Sequence, residues 1–347
     1  MDYLAMILSY LGSKTTILPL IYAIIKPLIN EKTTFYDPFA GSGSVVNFFK
    51  SKVNRVCASD LELYAYVLNY ALLKCRYTNK LKDVLTILND IKGEDGLVSK
   101  YFSPKAGKLY FTESNARKID SIRSRLNYML KNNEINYDEF VFLLASLLQA
   151  ASKYSNTCGT FRAHLKTLSK SASKHLVVSP IHTYYSLSNS SINKIKFGDA
   201  IQVTRNLHKF VHQMNDDITY LDPPYNTVHY GSYYSFLNYL CLYNDSTNLY
   251  GTGIIENYNK SEFGLKKTAQ SKFLDLFDTI KTRYIIMSYS SKATLSLKTI
   301  MGMLQGRGAL TVYYIQNKKL NSKDKITEYV FKLDTASMCT QVQHIHW

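Results

Sequence analysis

Acidic residues are scarce in this sequence. Its 347 residues include 26 Asp and Glu against 42 Lys and Arg, a formal net charge of +16, with a pI of about 9.4. That imbalance implies a polyanionic partner, nucleic acid foremost. Cysteine is sparse as well: five residues, at 57, 75, 158, 241 and 339, with no Cys-x-x-Cys pair. Zinc ribbons and dithiol redox chemistry are therefore not expected, and a reducing cytoplasm is. No cluster has metal-ligand spacing, so no metal is expected. Long apolar runs are missing, since Phe140 to Leu148 is too short to span a bilayer. The first dozen residues lack a basic leader and a small-residue cleavage site, so neither a signal peptide nor a membrane partner is expected. Repeats and low-complexity tails are absent too. Tyrosine, by contrast, is plentiful at 29 residues, which makes no single one diagnostic. With 46% hydrophobic residues, the chain can build one large domain or two modest ones.

Two strand ends carry the chemistry. The first is Thr33 to Tyr36, a β-prone run leading into Asp37-Pro38-Phe39-Ala40-Gly41-Ser42-Gly43-Ser44 and a helical start at Val45. Glycines at 41 and 43 allow close backbone approach and positive φ, and a helix N-terminus offers free N–H groups to an anion such as a carboxylate. Two glycines alone are equally a tight turn with no ligand. No Gly-Lys-Ser/Thr follows, so this is not a Walker loop. Position 46 is Val, so the full dinucleotide fingerprint is missing, which argues for a ligand without a pyrophosphate. The next strand, Arg55 to Ser59, ends at Asp60, near the spacing at which an acid meets ribose hydroxyls. Asp60 also fits a plain helix N-cap.

The second is Ile218-Thr219-Tyr220-Leu221-Asp222-Pro223-Pro224-Tyr225. A double proline stops a central strand. It leaves a carboxylate, two free carbonyls and a ring at the strand end, where open α/β sheets bind ligands. Asp222 and the Pro223 carbonyl suit the two protons of an exocyclic amine, and Tyr225 suits stacking on a flat ring. Alone, this tetrapeptide is equally a turn that closes an ordinary strand.

Between these motifs the strand–helix rhythm is lost, from about Lys92 to Pro180. Thr112 to Leu130 reads as a helix with Ala116, Ile119, Ile122, Leu126 and Met129 on one face and Arg117, Lys118, Arg123 and Arg125 off it. Glu139 to Ala151 reads as a core helix. Lys153 to Pro180 then carries Lys153, Arg162, Lys166, Lys170 and Lys174 without one acid, together with Tyr154, Asn156, Thr157, Thr160 and His164. Bases mixed with amides and hydroxyls suit phosphate contacts and base-edge reading. The rhythm returns with a strand over Lys194 to Asp199. The Tyr- and Phe-rich segment from Tyr230 to Tyr243 reads as helix packing, with the loop-like Asn226 to Ser232 placed to close over a bound base. Arg283 to Ser290, Ala309 to Gln316 and Glu328 to Leu333 read as the last strands.

In this order the motifs resemble the Dam-like, alpha-ordered group of DNA adenine-specific methyltransferases, which includes restriction-modification methylases. The matching pieces are Leu11-Gly12-Ser13-Lys14, Asp37 to Gly43, Asp60, Gly198-Asp199 and Asp222 to Tyr225, with Tyr110 to Ala116 and Asn156 to Thr160 also similar. The Gly-Ser-Lys motif lies further from the start than is usual in that group, which makes Met6 a candidate initiator. The resemblance implies an α/β fold: a doubly wound, mostly parallel, Rossmann-like methyltransferase sheet with an inserted, mainly helical DNA-recognition domain. Residues 1–91 would bind S-adenosylmethionine, 92–190 would form the target-recognition region and 191–347 the catalytic part. Lys14, Asp37, Phe39, Ala40, Gly41 and Gly43 would surround the cofactor's methionine part, with Asp60 on the ribose and Asp199 on the adenine, and Leu11 and Gly12 would also belong to the cofactor site. Asp222, Pro223, Pro224 and Tyr225 would hold the target adenine. Arg123, Lys153, Asn156, Arg162, His164 and Lys166 are the expected contacts to double-stranded DNA. A cognate restriction endonuclease is an implied partner, and a monomer suffices for one methyl transfer per visit. Methylation of cytosine in DNA or adenine in RNA, a silent DNA-binding protein of the same fold, and a restriction endonuclease are the competing readings.

Overall fold

The computed structural model of the chain describes Leu8 and residues 10–181, 203–205, 207–211, 217–318, 325–337 and 342–346. The expected strand over Lys194 to Asp199, including Asp199 itself, lies outside them. The strands are β1 (Thr34–Asp37), β2 (Arg55–Ser59), β3 (Val203–Thr204), β4 (Ile218–Leu221), β5 (Leu249–Tyr250), β6 (Ile254–Ile255), β7 (Tyr284–Ser290), β8 (Ala309–Lys318), β9 (Lys325–Asp334) and β10 (Val342–His346). Among the described residues, eight of them form one sheet in the order β10-β8-β9-β7-β4-β1-β2-β3, and β5 and β6 make a separate hairpin. Strand β9 runs antiparallel to β7 and β8, and every other pairing in the large sheet is parallel. This is the doubly wound, mostly parallel sheet expected from the sequence. Its order reverses at β1, whose two neighbours are β2 and β4. That switch point opens a crevice at the carboxyl ends of β1 and β4.

The helices are α1 (Leu18–Ile25), α2 (Ser44–Phe49), α3 (Leu63–Lys74), α4 (Asn79–Asp90), α5 (Leu97–Phe102), α6 (Glu113–Lys131), α7 (Tyr137–Lys153), α8 (Leu207–Val211), α9 (Tyr230–Tyr233), α10 (Ser235–Leu242), α11 (Ala269–Thr279) and α12 (Leu297–Leu304). Strand alternation sends side chains to two faces. Phe35, Val56, Ala58, Tyr220, Ile286 and Val330 pack with α1 and α2 on one face. Cys57, Leu221, Ile285, Met287, Tyr289 and Phe331 pack with α8, α11 and α12 on the other. Burial on both faces is why these strands read as near-continuous apolar runs. Among the described residues, no helix is long and apolar enough to cross a membrane.

A third core is mainly helical. It joins α4 to α7 with Tyr64 to Cys75 of the α3 segment and Tyr234 to Cys241 of the α10 segment. The boundary expected between residues 91 and 92 therefore runs through one packed core. Helix α6 is N-capped by the Thr112 hydroxyl, which accepts from Asn115 N–H, and α7 by a reciprocal box between Asn136 and Glu139. The apolar face expected on α6 is buried as drawn.

Arg123 departs from the expectation of a DNA contact. It is 3% exposed. Its Nε and Nη2 donate to the carbonyls of Leu240 and Cys241, each at 2.9 Å, and Nη1 donates to Asn127. The guanidinium thus satisfies the last carbonyls of α10, which have no intrahelical partner, and it lies over the rings of Phe140 and Tyr243. Replacing it by Met strands two buried acceptors, at about 1–3 kcal/mol each. Chemical denaturation of Arg123→Met should show a loss of about 2–4 kcal/mol, and the salt dependence of DNA binding should stay as in the wild type.

Candidate active site

The carboxyl ends of β1, β2 and β4 deliver Asp37, Asp60 and Asp222 to one side of the sheet. They border a cavity of about 460 Å³, together with Tyr10 to Lys14, the Phe39–Val45 turn, Pro223 to Tyr225 and the segment Asn259 to Phe263. Gly41 and Gly43 hold φ of +52° and +82°. A side chain at Gly43 would meet Leu72 at 2.5 Å, so both the turn and its packing on α3 require glycine here. Asp60 stabilises the turn directly: its Oδ2 accepts from Gly41 N–H at 2.8 Å and its Oδ1 from Glu62 N–H at 2.9 Å. Asp37 is 1% exposed and accepts from Phe39 N–H at 3.1 Å. Burial holds both carboxyls above the ordinary range, and at Asp37 the neighbouring Asp222 and Asp60 push the same way.

Asp222 has one oxygen in use. Its Oδ2 lies 2.8 Å from the Lys14 ammonium, and its Oδ1 is buried with no hydrogen-bond partner. Lys14, 6% exposed, also donates to the Gly12 carbonyl at 2.9 Å and lies 5.3 Å from the centre of the Tyr225 ring. Burial raises the Asp222 pKa against the pull of Lys14; burial lowers that of Lys14, yet Asp222 outweighs it and the net shift is upward. Pro223 and Pro224 line the cavity wall. The Tyr225 carbonyl accepts from Thr294 N–H at 2.7 Å, which anchors the motif to the turn after β7, and its ring meets Tyr289 edge-on.

The loop that carries Lys14 is clamped by tyrosines. The Tyr10 ring stacks on Tyr230 at 5.4 Å and on Tyr234 at 4.9 Å. The Tyr230 hydroxyl donates to the Leu11 carbonyl at 3.0 Å, and Leu11 N–H donates to the Tyr234 hydroxyl at 2.7 Å. Tyr10, Tyr230, Tyr234 and Glu62 are site residues that sequence reasoning missed. Tyr10 adjoins the Gly-Ser-Lys motif and was within reach of it. The other three are brought in by tertiary packing: Tyr234 lies in a segment read as packed helix, whereas Tyr230 falls in the stretch read as loop-like, which the structure folds into α9 from Tyr230 onward.

Leu11, Gly12, Lys14, Asp37, Phe39, Ala40, Gly41, Asp60 and Asp222 to Tyr225 all line one cavity, with Gly43 in its floor turn. The expected nucleic-acid contacts separate into two groups. Lys153, Arg162 and Lys166 are exposed, and His164 is half-buried with its ring edge-on to Tyr110. Asn156 is fully buried, which corrects its expected role as a DNA contact. Its Oδ1 accepts from Ser169 N–H, its Nδ2 donates to the Leu165 carbonyl, and its N–H donates to Tyr110. It folds the basic segment instead of contacting a ligand.

The sequence profile of the D12 class N6 adenine-specific DNA methyltransferases matches residues 10–303. The chain is 31% identical to the Type II methyltransferase M.CviAII of Paramecium bursaria Chlorella virus 1, over 93% of this chain and 97% of that protein. It is 31% identical to M.NlaIII of Neisseria lactamica, over 87% and 89%. With M.FokI of Planomicrobium okeanokoites the identity is again 31%, over 93% of this chain and 52% of the longer relative.

Glu62, at the start of α3, is 4% exposed. Asn238 Nδ2 donates to its Oε2 at 2.5 Å. Burial, chiefly, raises its pKa from 4.5 to about 7. A raised folded value means that its stabilising contribution is complete below about pH 4.5 and is lost as the pH rises through about 7. Glu62→Gln removes that dependence. Its unfolding free energy relative to the wild type should therefore climb by about 3 kcal/mol across this window, measured by urea denaturation of the protein alone at a series of pH values.

Proposed function

The chain belongs to the D12 class N6 adenine-specific DNA methyltransferase family, and on that premise we propose that it transfers a methyl group from S-adenosylmethionine to the exocyclic amine of an adenine flipped out of duplex DNA, as the modification enzyme of a restriction-modification system. The observation that carries this reading is the buried, unpartnered Oδ1 of Asp222, a residue that lines the cavity together with Tyr225. The Type II methyltransferases similar along nearly their whole length support the biological setting, with a cognate endonuclease as the expected partner.

The cavity fits the cofactor in charge and shape. In a protein of net charge +16, its wall nevertheless presents Asp37, Asp60, Glu62, Asp222 and Glu262 against Lys14, Arg205 and Lys260. An acidic pocket of this kind suits a cationic sulfonium ligand. The Gly41–Gly43 turn and Asp37 would hold its amino-acid end and Asp60 its ribose. When bound, the cofactor supplies an electrophilic methyl group. The protein's task is to present the amine. A base inside a duplex is out of reach, and flipping it costs about a few kcal/mol. Tyr225 offers a stacking face for the extruded ring. Asp222 Oδ1 and the Pro223 carbonyl accept the two amine protons, which favours a more tetrahedral nitrogen and aims its lone pair. The gain comes from positioning and electrostatics, with no covalent enzyme intermediate.

The exposed Lys153, Arg162 and Lys166, on an acid-free segment, fit phosphate contacts. Each such contact removed by an Ala substitution should lower the slope of log K against log salt by about 0.9.

Incubation with methyl-labelled S-adenosylmethionine and unmethylated duplex DNA, followed by digestion to nucleosides, should place the label on N6-methyl-2′-deoxyadenosine. Label on cytosine, or on RNA alone, would overturn the assignment. Asp222→Ala should lower turnover by at least about 100-fold while cofactor binding, followed by calorimetry, persists.

A further inference from the structure

We propose that Lys14 is a positioning residue for Asp222: its ammonium takes Oδ2, fixes the rotation of the carboxyl group and keeps it an anion, so that Oδ1 remains the acceptor for the incoming amine. The inference rests on the role given to Asp222 above, and it assigns Lys14 to the reacting end of the cavity instead of to the cofactor's methionine part.

The geometry carries it. Nζ is 2.8 Å from Asp222 Oδ2 and 2.9 Å from the Gly12 carbonyl, two fixed points that set its place in an enclosed site. The Gly12 loop is in turn held by the Tyr230 and Tyr234 hydroxyls on Leu11. Oδ1, by contrast, is shielded from solvent and takes no proton donor. The titratable groups facing this pair come from five elements. Asp37 stands at the end of β1, Tyr220 on β4 and Tyr225 just beyond it; Tyr230 reaches in from α9 and Glu328 from β9. Of these and Lys14, only Lys14 is a cation. An enclosed carboxylate beside a second one takes up a proton when its counter-charge is removed. A protonated Asp222 would offer a hydroxyl at the position where an acceptor is required.

The test compares wild type with Lys14→Met, Lys14→Gln and Lys14→Arg by three readouts: the pH profile of kcat on duplex DNA, S-adenosylmethionine binding by calorimetry, and the carbon-13 titration of the Asp222 carboxyl, assigned with Asp222→Asn. In the two neutral variants the acid limb of the kcat profile, and the Asp222 titration with it, should move up by about 1–3 pH units. Activity should return at alkaline pH, cofactor affinity should stay near the wild-type value, and Lys14→Arg should restore most of the profile. A uniform loss at every pH with an unmoved Asp222 titration overturns the proposal, as does weakened cofactor binding with the carboxyl unchanged. Should the wild type fail to methylate DNA while the Asp222 titration still shifts in Lys14→Met, the functional reading fails and the pairing stands. Loss of folding in both neutral variants leaves Lys14→Arg to decide: an Asp222 titration that is no longer held down by the longer, planar cation would go against a simple charge pairing.

Discussion

Three carboxyl groups at the ends of adjacent parallel strands are the constraint around which this protein is built. Parallel pairing of β1 with β2 and of β1 with β4 brings Asp37, Asp60 and Asp222 to the same edge. Enclosing like charges so closely is costly, and each has to be offset locally. Phe39 N–H serves Asp37, Gly41 and Glu62 N–H serve Asp60, and Lys14 serves Asp222. Each offset dictates a loop conformation. The glycine turn must present its amide to Asp60, and the N-terminal segment must return across the sheet to place one ammonium. The tyrosine stack from α9 and α10 holds it there. A site that is acidic inside a strongly basic protein is thus an outcome of sheet topology.

What could be read in the sequence was local. Strand, turn and helix around Asp37 to Val45, and the strand stopped by Pro223-Pro224, are each specified within about ten residues by glycine, proline and apolar patterning, and the structure places them as expected. The apolar stripe of α6 was equally legible. Side-chain fate was less so. Arg123 reads as solvent-facing by its charge, but helical spacing, four residues after Ile119 and three before Leu126, sets it inside that stripe, and α10 packs over it and makes its guanidinium a buried cap. Asn156 stands in a polar, basic run and looks like a DNA contact, but its amide satisfies the backbone of that same run. Both errors have one cause: polar composition does not tell a group that meets a ligand from one that serves a neighbouring carbonyl.

The basic segment is tied to the reacting end by short steps. Phe161 N–H donates to the Tyr233 carbonyl at 2.7 Å, and Arg162 reaches the Tyr233 hydroxyl at 3.2 Å. Tyr230 and Tyr234, on either side, grip Leu11. A four-residue helix therefore joins the basic segment and the loop that supplies Lys14. The arrangement makes α9 a structural hub, because the same backbone turn braces two loops that are distant in sequence.

The shared helical core has an evolutionary consequence. Helices α4 to α7 bury their apolar faces against α3 and α10, which belong equally to the catalytic half. A unit of that kind cannot be traded between relatives as a detachable cassette, since excising it would leave half of a hydrophobic interior facing water. On the proposed function, new target preferences would arise by substitution at exposed positions such as those between Lys153 and Lys174. That route allows binding to diversify residue by residue while the interior that aligns the three strand ends is inherited intact.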